Sequence, residues 1–215
     1  ENILAMQGEG IVCGDETITE TAGYAFFQQE FFNSLTWDGG IRLEHNSVYG
    51  SEWIPHTGLA WRINPSTSLK TSVSKGFRSP TIRELYLWAP ANENLSPERM
   101  INYEAGITKY FLSERVKTEL TVFHSDGDNQ IAIVGQFPNV QHENTGSFTN
   151  SGIEFAGSFK ILPNLTLKSN YTYINMDKPV ISTPVHNLFT AIKYEISNFN
   201  INVNMQHIGD LVQTT

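Results

Sequence analysis

The chain has 215 residues, of which 40% are apolar and 12% aromatic, and its formal net charge is −8 at pH 7. Its uninterrupted apolar runs, such as 25–27 and 131–134, are three or four residues long. A transmembrane helix needs about 20 mostly apolar residues in succession, so the sequence predicts none. No basic stripe of the kind that binds nucleic acid is present, and the single cysteine, Cys13, excludes an intrachain disulfide.

Apolar and polar residues alternate along about ten segments. Because successive side chains of a β-strand point to opposite faces, each segment is predicted to be a strand with one apolar and one polar face. Most segments have about 10–12 residues, which suits the roughly 9–11 that a tilted strand needs to cross a bilayer. In chain order, the predicted strands lie near 22–32, 35–46, 53–63, 68–78, 101–111, 116–126, 147–161, 165–175, 185–196 and 201–211.

The connections between these segments alternate between short and long. Short turns are predicted at 33–34, 64–67, 112–115, 162–164 and 197–200. Long loops are predicted at 47–52, 79–100, 127–146 and 176–184, and residues 1–21 precede the first strand. An up-and-down meander with short turns at one rim and long loops at the other is typical of an outer-membrane β-barrel.

A soluble antiparallel β-sandwich that acts as a binding module also alternates, and it is one rival interpretation. It predicts that the face formed by Leu165, Leu167, Tyr171 and Tyr173 is buried against a second sheet. The length of the strands and the aromatic residues near their ends favour the membrane barrel, where such residues form interfacial girdles.

Six stretches carry a family resemblance. They are LKTSVSKGFRSPTIRELY at 69–86, NENLSPE at 92–98, NYEAG at 102–106, NTGSFTNSGIEF at 144–155, PVHNLFTAIKY at 184–194 and HIGDL at 207–211. In this order and spacing they resemble the boxes of TonB-dependent outer-membrane receptors. The matching boxes and strands extend from about residue 53 to 211.

The resemblance implies an all-β fold, an antiparallel up-and-down transmembrane β-barrel of the 22-stranded type whose lumen holds a plug. We therefore expect residues 1–215 to be part of a single barrel domain, an internal fragment without the plug or the C-terminal strands. Residues 1–21 are expected to form an extracellular loop. A small passive outer-membrane channel is a second rival, and it predicts a closed barrel in which 22–32 pairs with 201–211.

The implied function is active uptake of a scarce nutrient across the Gram-negative outer membrane, most often a ferric siderophore. The implied partners are outer-membrane lipid, the plug domain, TonB and an iron chelate, and no cofactor or enzymatic activity is expected. Alternation predicts that Leu69, Val73 and Phe77 face lipid, whereas Lys70 and Arg78 face the lumen.

The loop at 79–100 supplies candidate ligand-binding residues, Arg83, Tyr86 and Trp88. Arginine can pair with an anionic chelate, and aromatic rings can stack on it. The alternative is that the aromatic residues only pack the loop. The box residues with an expected structural role are Gly76, Phe77, Arg78, Pro80, Asn92, Asn94, Leu95, Pro97, Glu98, Asn102, Tyr103 and Glu104.

Other motifs argue against a metal or catalytic site. Haem-uptake members of the family carry a histidine between the first two boxes, but 81–91 has none. DGDNQ at 126–130 has Ile131 where a calcium loop needs glycine. The histidines are scattered without metal-type spacing, at His45, His56, His124, His142, His186 and His207.

Overall fold

A computed structural model describes residues 2–7, 11–87, 90–180 and 182–212. Ten antiparallel strands form one sheet in which each strand pairs with its neighbours along the chain. These strands are β3 (Glu20–Phe31), β4 (Leu35–Asn46), β5 (Gly50–Asn64), β6 (Thr67–Arg78), β7 (Glu98–Phe111), β8 (Val116–Asp128), β11 (Phe148–Leu162), β12 (Leu165–Met176), β13 (Pro184–Ile196) and β14 (Phe199–Leu211). The all-β meander of ten strands predicted from alternation is thus confirmed.

Shorter elements lie outside this sheet. Strands β1 (Asn2–Gln7) and β2 (Ile11–Thr17) pair as a hairpin, as do β9 (Ile131–Gln136) and β10 (Asn139–Asn144). One short helix, α1 (Ile82–Tyr86), follows β6. Among the described residues, no helix has the length and hydropathy to cross a membrane.

The predicted connections differ from the structure in extent. The stretch at 47–52 shortens to a turn at 47–49, because β5 already begins at Gly50. Residues 1–21 and 127–146 are not plain loops, since each contains a hairpin, and 79–100 contains α1. The two hairpins form no ladder with the main sheet. Alternation over the length of a full strand therefore does not predict them. The extracellular position of these connections remains a prediction.

The strand register builds one apolar face. Residues directly opposite each other across eight successive strands form a single row: Leu35, Trp61, Leu69, Ile107, Leu120, Phe155, Tyr171 and Leu188. Because side chains alternate, the row one residue further along β6 lies on the other face. That row is Thr36, Ala60, Lys70, Gly106, Thr121, Glu154, Thr172 and Asn187.

Both faces of the sheet are open. Every pair of strands in extensive contact is a hydrogen-bonded pair, and no second sheet packs on either face of the described sheet. No residue of β12 is buried, which contradicts the sandwich interpretation. Strands β3 and β14 lie at opposite ends of the sheet and do not pair, which contradicts a closed ten-stranded barrel.

The end of β6 departs from simple alternation. Its ladder with β5 stops at the His56–Ser74 pair, although its ladder with β7 continues to Arg78. Phe77, which alternation assigns to the lipid-facing side, is half-buried and packs edge-on against Tyr49 at 6.1 Å between ring centroids. The last residues of β6 therefore belong to the rim of the sheet.

The two faces predict opposite tolerance to charge. Val122 and Thr121 are neighbours in the middle of β8 but point to the apolar and the polar face, respectively. Val122→Arg should lower the free energy of unfolding in a bilayer by about 2–4 kcal/mol, because a charge then faces hydrocarbon. Thr121→Arg is the matched control and should have a smaller effect. The measurement is a urea titration of the protein in lipid vesicles, and equal losses would contradict this assignment of faces.

Candidate functional site

The connection between β6 and β7, residues 79–97, is folded around α1. Its first turn is fixed by a capping box: Glu84 N–H donates to Thr81 Oγ1 at 3.2 Å, and Thr81 N–H donates to Glu84 Oε2 at 2.8 Å. Such reciprocal bonds satisfy backbone donors that a helix start leaves without partners. The buried Pro80 precedes the box, and Leu87 N–H bonds to Arg83 O at 3.2 Å at the helix end.

This loop has its own small hydrophobic core. The buried apolar side chains of the described residues are Ile82, Leu85 and Leu95, with Leu85 only 1% exposed. Pro97 is also buried. Asn92 shapes the turn before Leu95, since its Oδ1 accepts from Asn94 N–H at 3.0 Å. The two family boxes at 69–86 and 92–98 contact each other where Asn92 N–H donates to Glu84 O at 2.8 Å.

Arg78 joins the two ends of the loop. Its guanidinium donates to both oxygens of Glu98, at 2.8 and 3.0 Å, and to both oxygens of Glu84 at 3.1 Å. Burial alone would raise the pKa of Glu84. The hydrogen bonds from Thr81 and the Arg78 guanidinium outweigh burial and hold that pKa below its ordinary value. The carboxylate that caps α1 is thus ionised at neutral pH.

A second ionic cluster lies beside this loop on β5, β6 and β7. The buried Glu52 accepts from Lys75 Nζ at 3.0 Å and pairs with Arg99. One carboxylate thus ties three strands together at the rim where the loop begins and ends.

The second long connection lies against the first. The β9–β10 hairpin meets residues 79–97 at two places: His142 N–H donates to Pro90 O at 2.6 Å, and Asn144 exchanges two hydrogen bonds with the Ser96 backbone. Ile131 N–H also donates to Glu98 Oε1 at 2.7 Å. His142 Nδ1 is buried and has no hydrogen-bond partner among the described residues.

An open cleft of about 810 Å³ lies between the start of β3 and residues 79–83. Arg83 is exposed and lines this cleft, whose wall also includes Thr19, Glu20, Ser79 and Thr81. Of the candidate ligand-binding residues, Tyr86 is half-buried and does not line the cleft. Trp88 lies outside the described residues. Of the two described candidates, the structure places Arg83 and not Tyr86 at this cleft.

The polar face carries a separate acidic group in the middle of the sheet. Glu104 on β7 and Glu154 on β11 flank β8, opposite Phe123 and Thr121, respectively. Both are exposed, and neither forms an ion pair with any described residue. Glu119 on β8 pairs with Lys117 at 3.4 Å. A groove of about 310 Å³ is lined by Asp38, Lys70, Ser72, Glu104, Thr108 and Glu119.

Other box residues lie on β6 and β7, and their structural role stays a prediction. Asn102 Oδ1 accepts from the buried Ser125 Oγ at 2.6 Å. Tyr103 is 42% exposed on the apolar face, with its ring 6.3 Å from that of His124. A Cβ at Gly76 would meet Met100 at an ordinary 3.7 Å, so the space around it does not require glycine. Within the described ranges, no group of three potential metal ligands comes together.

The sequence matches one protein-family model. The model, described as "TonB dependent receptor-like, beta-barrel", matches residues 12–214. The chain belongs to this family. The resemblance found in the sequence boxes is thereby confirmed, together with an outer-membrane location and a non-enzymatic class.

Individual relatives are similar to this chain over most of its length. An iron-regulated outer membrane virulence protein of Vibrio cholerae is 27% identical over 203 residues, covering 80% of this chain and 31% of the relative. The probable TonB-dependent siderophore receptor PirA of Acinetobacter baumannii is 26% identical over 204 residues, covering 74% of the chain and 27% of PirA. The chain thus spans about a third of the length of these relatives.

Solved structures show the same barrel. The crystal structure of PirA from Acinetobacter baumannii matches with a TM-score of 0.75 at 20% identity, over 89% of this chain and 33% of that one. The ferric enterobactin receptor PfeA of Pseudomonas aeruginosa, in a mutant complex with enterobactin, matches with a TM-score of 0.77 at 17% identity, over 95% and 35%. The ten-stranded sheet is therefore part of the wall of a larger receptor barrel.

Sequence reasoning missed two parts of this site. Glu154 was noted only as part of a family box, although GIEF places a carboxylate on the polar face of a strand. Asn144 is the first residue of the family box at 144–155, and its contact with Ser96 joins positions 48 residues apart. No local sequence pattern predicts a contact between residues so far apart in the chain.

The loop core predicts a large effect of truncation. Leu85→Ala should destabilise the folded loop by about 2–5 kcal/mol, because it removes a fully buried side chain from a small core. Leu112→Ala is the control, since Leu112 is 73% exposed in a turn at the other rim. Hydrogen exchange of the amides in 81–97 measures the effect. Exchange as slow as in the unsubstituted protein would contradict a structural role for this core.

Proposed function

We propose that this chain forms wall and loops of a receptor that takes up a ferric siderophore across the outer membrane, with TonB supplying the energy through a plug in the lumen. In this proposal the long connections face the cell exterior, and residues 79–97 contribute to ligand binding. The observation that carries it is an exposed arginine, Arg83, at an open cleft on a loop held by buried leucines and an ion-pair network. The similarity to PirA and PfeA supports the iron chelate as the ligand class.

The chemistry of the cleft suits a large anionic chelate. Siderophore complexes of iron commonly carry negative charge, and a guanidinium binds such groups through charge-assisted hydrogen bonds. Arg83 sits on α1, whose start is fixed by the capping box and whose Leu85 is buried. Tyr86 and Trp88, close behind in the chain, stay predicted aromatic contacts of the ligand, although Tyr86 does not line the cleft itself.

Replacing Arg83 tests the ligand site. Arg83→Ala in the full-length receptor should weaken binding about tenfold or more, as expected for a lost hydrogen bond to a charged group. Arg62→Ala is the matched control, because Arg62 lies on β5 near the opposite rim, where it donates to Asn33 O. Binding is measured by titration with ferric enterobactin, ferrioxamine B and vitamin B12, which represent three ligand classes.

The titration separates several outcomes. Tight binding of ferric enterobactin, which is anionic, with a selective loss in Arg83→Ala supports the proposal. Binding of ferrioxamine B alone, whose iron complex is a cation, would contradict an anionic chelate as the ligand. Binding of vitamin B12 alone would replace the siderophore with another nutrient. An unchanged affinity for the bound chelate in Arg83→Ala would remove this residue from the site.

The polar face supports a second part of the proposal, the seating of the plug. Glu104 and Glu154 are carboxylates near the middle of the wall without a basic partner in the described chain. A carboxylate facing a closed lumen is unfavourable unless it is paired or hydrogen-bonded. We therefore expect basic side chains of the plug to pair with them when the receptor is complete.

Neutral substitutions test the seating of the plug. Glu104→Gln combined with Glu154→Gln should loosen the plug, because its basic groups lose both anionic partners. The readout in the full-length receptor is the rate at which added protease cleaves the plug, and the rate should rise. Glu114→Gln, in the turn after β7, is the control. Cleavage as slow as in the unsubstituted receptor would contradict the pairing.

A further inference from the structure

We propose that residues 79–87 and 90–97 and the β9–β10 hairpin move as one rigid body, and that Asn144 is the positioning residue that joins them. Through this junction the hairpin holds α1, and with it Arg83, at the cleft. The inference rests on the proposed ligand-binding role of residues 79–97. Asn144, His142 and Glu98 make the contacts between the two connections, which together form a loop clamp.

The side-chain amide of Asn144 bonds to the backbone of Ser96 in the way that a neighbouring peptide group would. Its Oδ1 accepts from Ser96 N–H at 2.9 Å, and its Nδ2 donates to Ser96 O at 2.9 Å and to Asn129 O at 2.8 Å. Both amide donors are thus used, together with the acceptor. The pair of bonds to Ser96 fixes both the distance and the orientation of the two segments. Asn144 is half-buried, so water competes only partly for these bonds.

His142 and Glu98 add contacts on either side of Asn144. At His142 both backbone groups are engaged: N–H donates to Pro90 O at 2.6 Å, and O accepts from Asn92 Nδ2 at 2.8 Å. Residues 90–92 therefore bind along the edge of β10. At the base, Glu98 Oε1 accepts from Ile131 N–H at 2.7 Å, while the same carboxylate holds Arg78.

The clamp reaches α1 through the loop core. Ser96 follows Leu95, which is buried with Leu85 and Ile82. Asn92 N–H donates to Glu84 O at 2.8 Å, so the segment that touches the hairpin also touches the helix. Arg83 stands between Ile82 and Glu84 on that helix and lines the cleft. In this proposal, the bond from Asn92 to Glu84 transmits a displacement of the segment 92–96 to α1 and thus to Arg83.

A purely local role for Asn144 is the alternative. In that case the residue only closes the base of the hairpin, where Thr145 N–H also bonds to Gln130 O at 2.7 Å. Loss of Asn144 would then loosen 131–144 and leave 82–97 unchanged. The two roles differ in whether the effect of Asn144 depends on Arg83, and this can be measured.

A double-mutant cycle in the full-length receptor tests the positioning role, with ferric enterobactin as the probe. Asn144→Ala should weaken binding about tenfold, because Arg83 loses its fixed place. Once Arg83 is alanine, adding Asn144→Ala should weaken binding by less than about twofold. Asn139→Ala, at the far end of β10, is the matched control and should leave affinity unchanged. Independent, multiplying effects of the two substitutions would overturn the proposal.

Hydrogen exchange tests the clamp without any ligand. In Asn144→Ala, exchange should accelerate both in 131–144 and in 82–97, since the two segments open together. Asn144→Asp keeps the bond from Ser96 N–H but lacks the Nδ2 donors, so its effect should be intermediate. Acceleration confined to the hairpin would overturn the proposal. If the receptor binds no ferric enterobactin, the choice of ligand fails, and the exchange experiment still decides whether the clamp exists.

Discussion

Backbone hydrogen bonding is the constraint on which the rest of this structure depends. In hydrocarbon no water can satisfy a peptide group, so each strand must bond to a strand on both sides. The eight inner strands of the described sheet have an antiparallel partner on each side, whereas β3 and β14 each have one. Once the backbone hydrogen bonds are made, alternate side chains lie on an apolar face that suits lipid and on a polar face that suits an aqueous lumen. The row from Leu35 to Leu188 takes one side, and the row from Thr36 to Asn187 takes the other.

Where the chain leaves the sheet after β6, it buries apolar side chains, as soluble proteins do. The buried apolar side chains of the described residues lie in the connection after β6, not in the sheet. There the backbone depends on a capping box, on asparagine amides and on carboxylates shared between cations. A wall without a core of its own thus carries a loop that has one. In the proposed function, this packing presents Arg83 at a fixed place.

Alternation was enough to predict the sheet, because a period of two follows directly from strand geometry. It failed at the end of β6, where the ladder to β5 stops and Phe77 turns to Tyr49. Alternation did not predict the β1–β2 and β9–β10 hairpins, because each forms a separate two-stranded sheet of short strands. For the site, sequence pattern led to the loop and to Arg83, whereas Asn144 depends on a contact between distant segments. Such contacts exist only once the fold brings the segments together.

The carboxylate of Glu98 accepts hydrogen bonds both from the guanidinium of Arg78 and from the backbone amide of Ile131, and so links the two connections. This sharing limits how such a receptor can diversify. A change of ligand is easiest when one surface loop can be exchanged without regard to the others. Here a segment transplanted from another receptor has to keep the hydrogen bonds to the neighbouring connection. Residues 79–97 and 129–147 are therefore best exchanged as a pair.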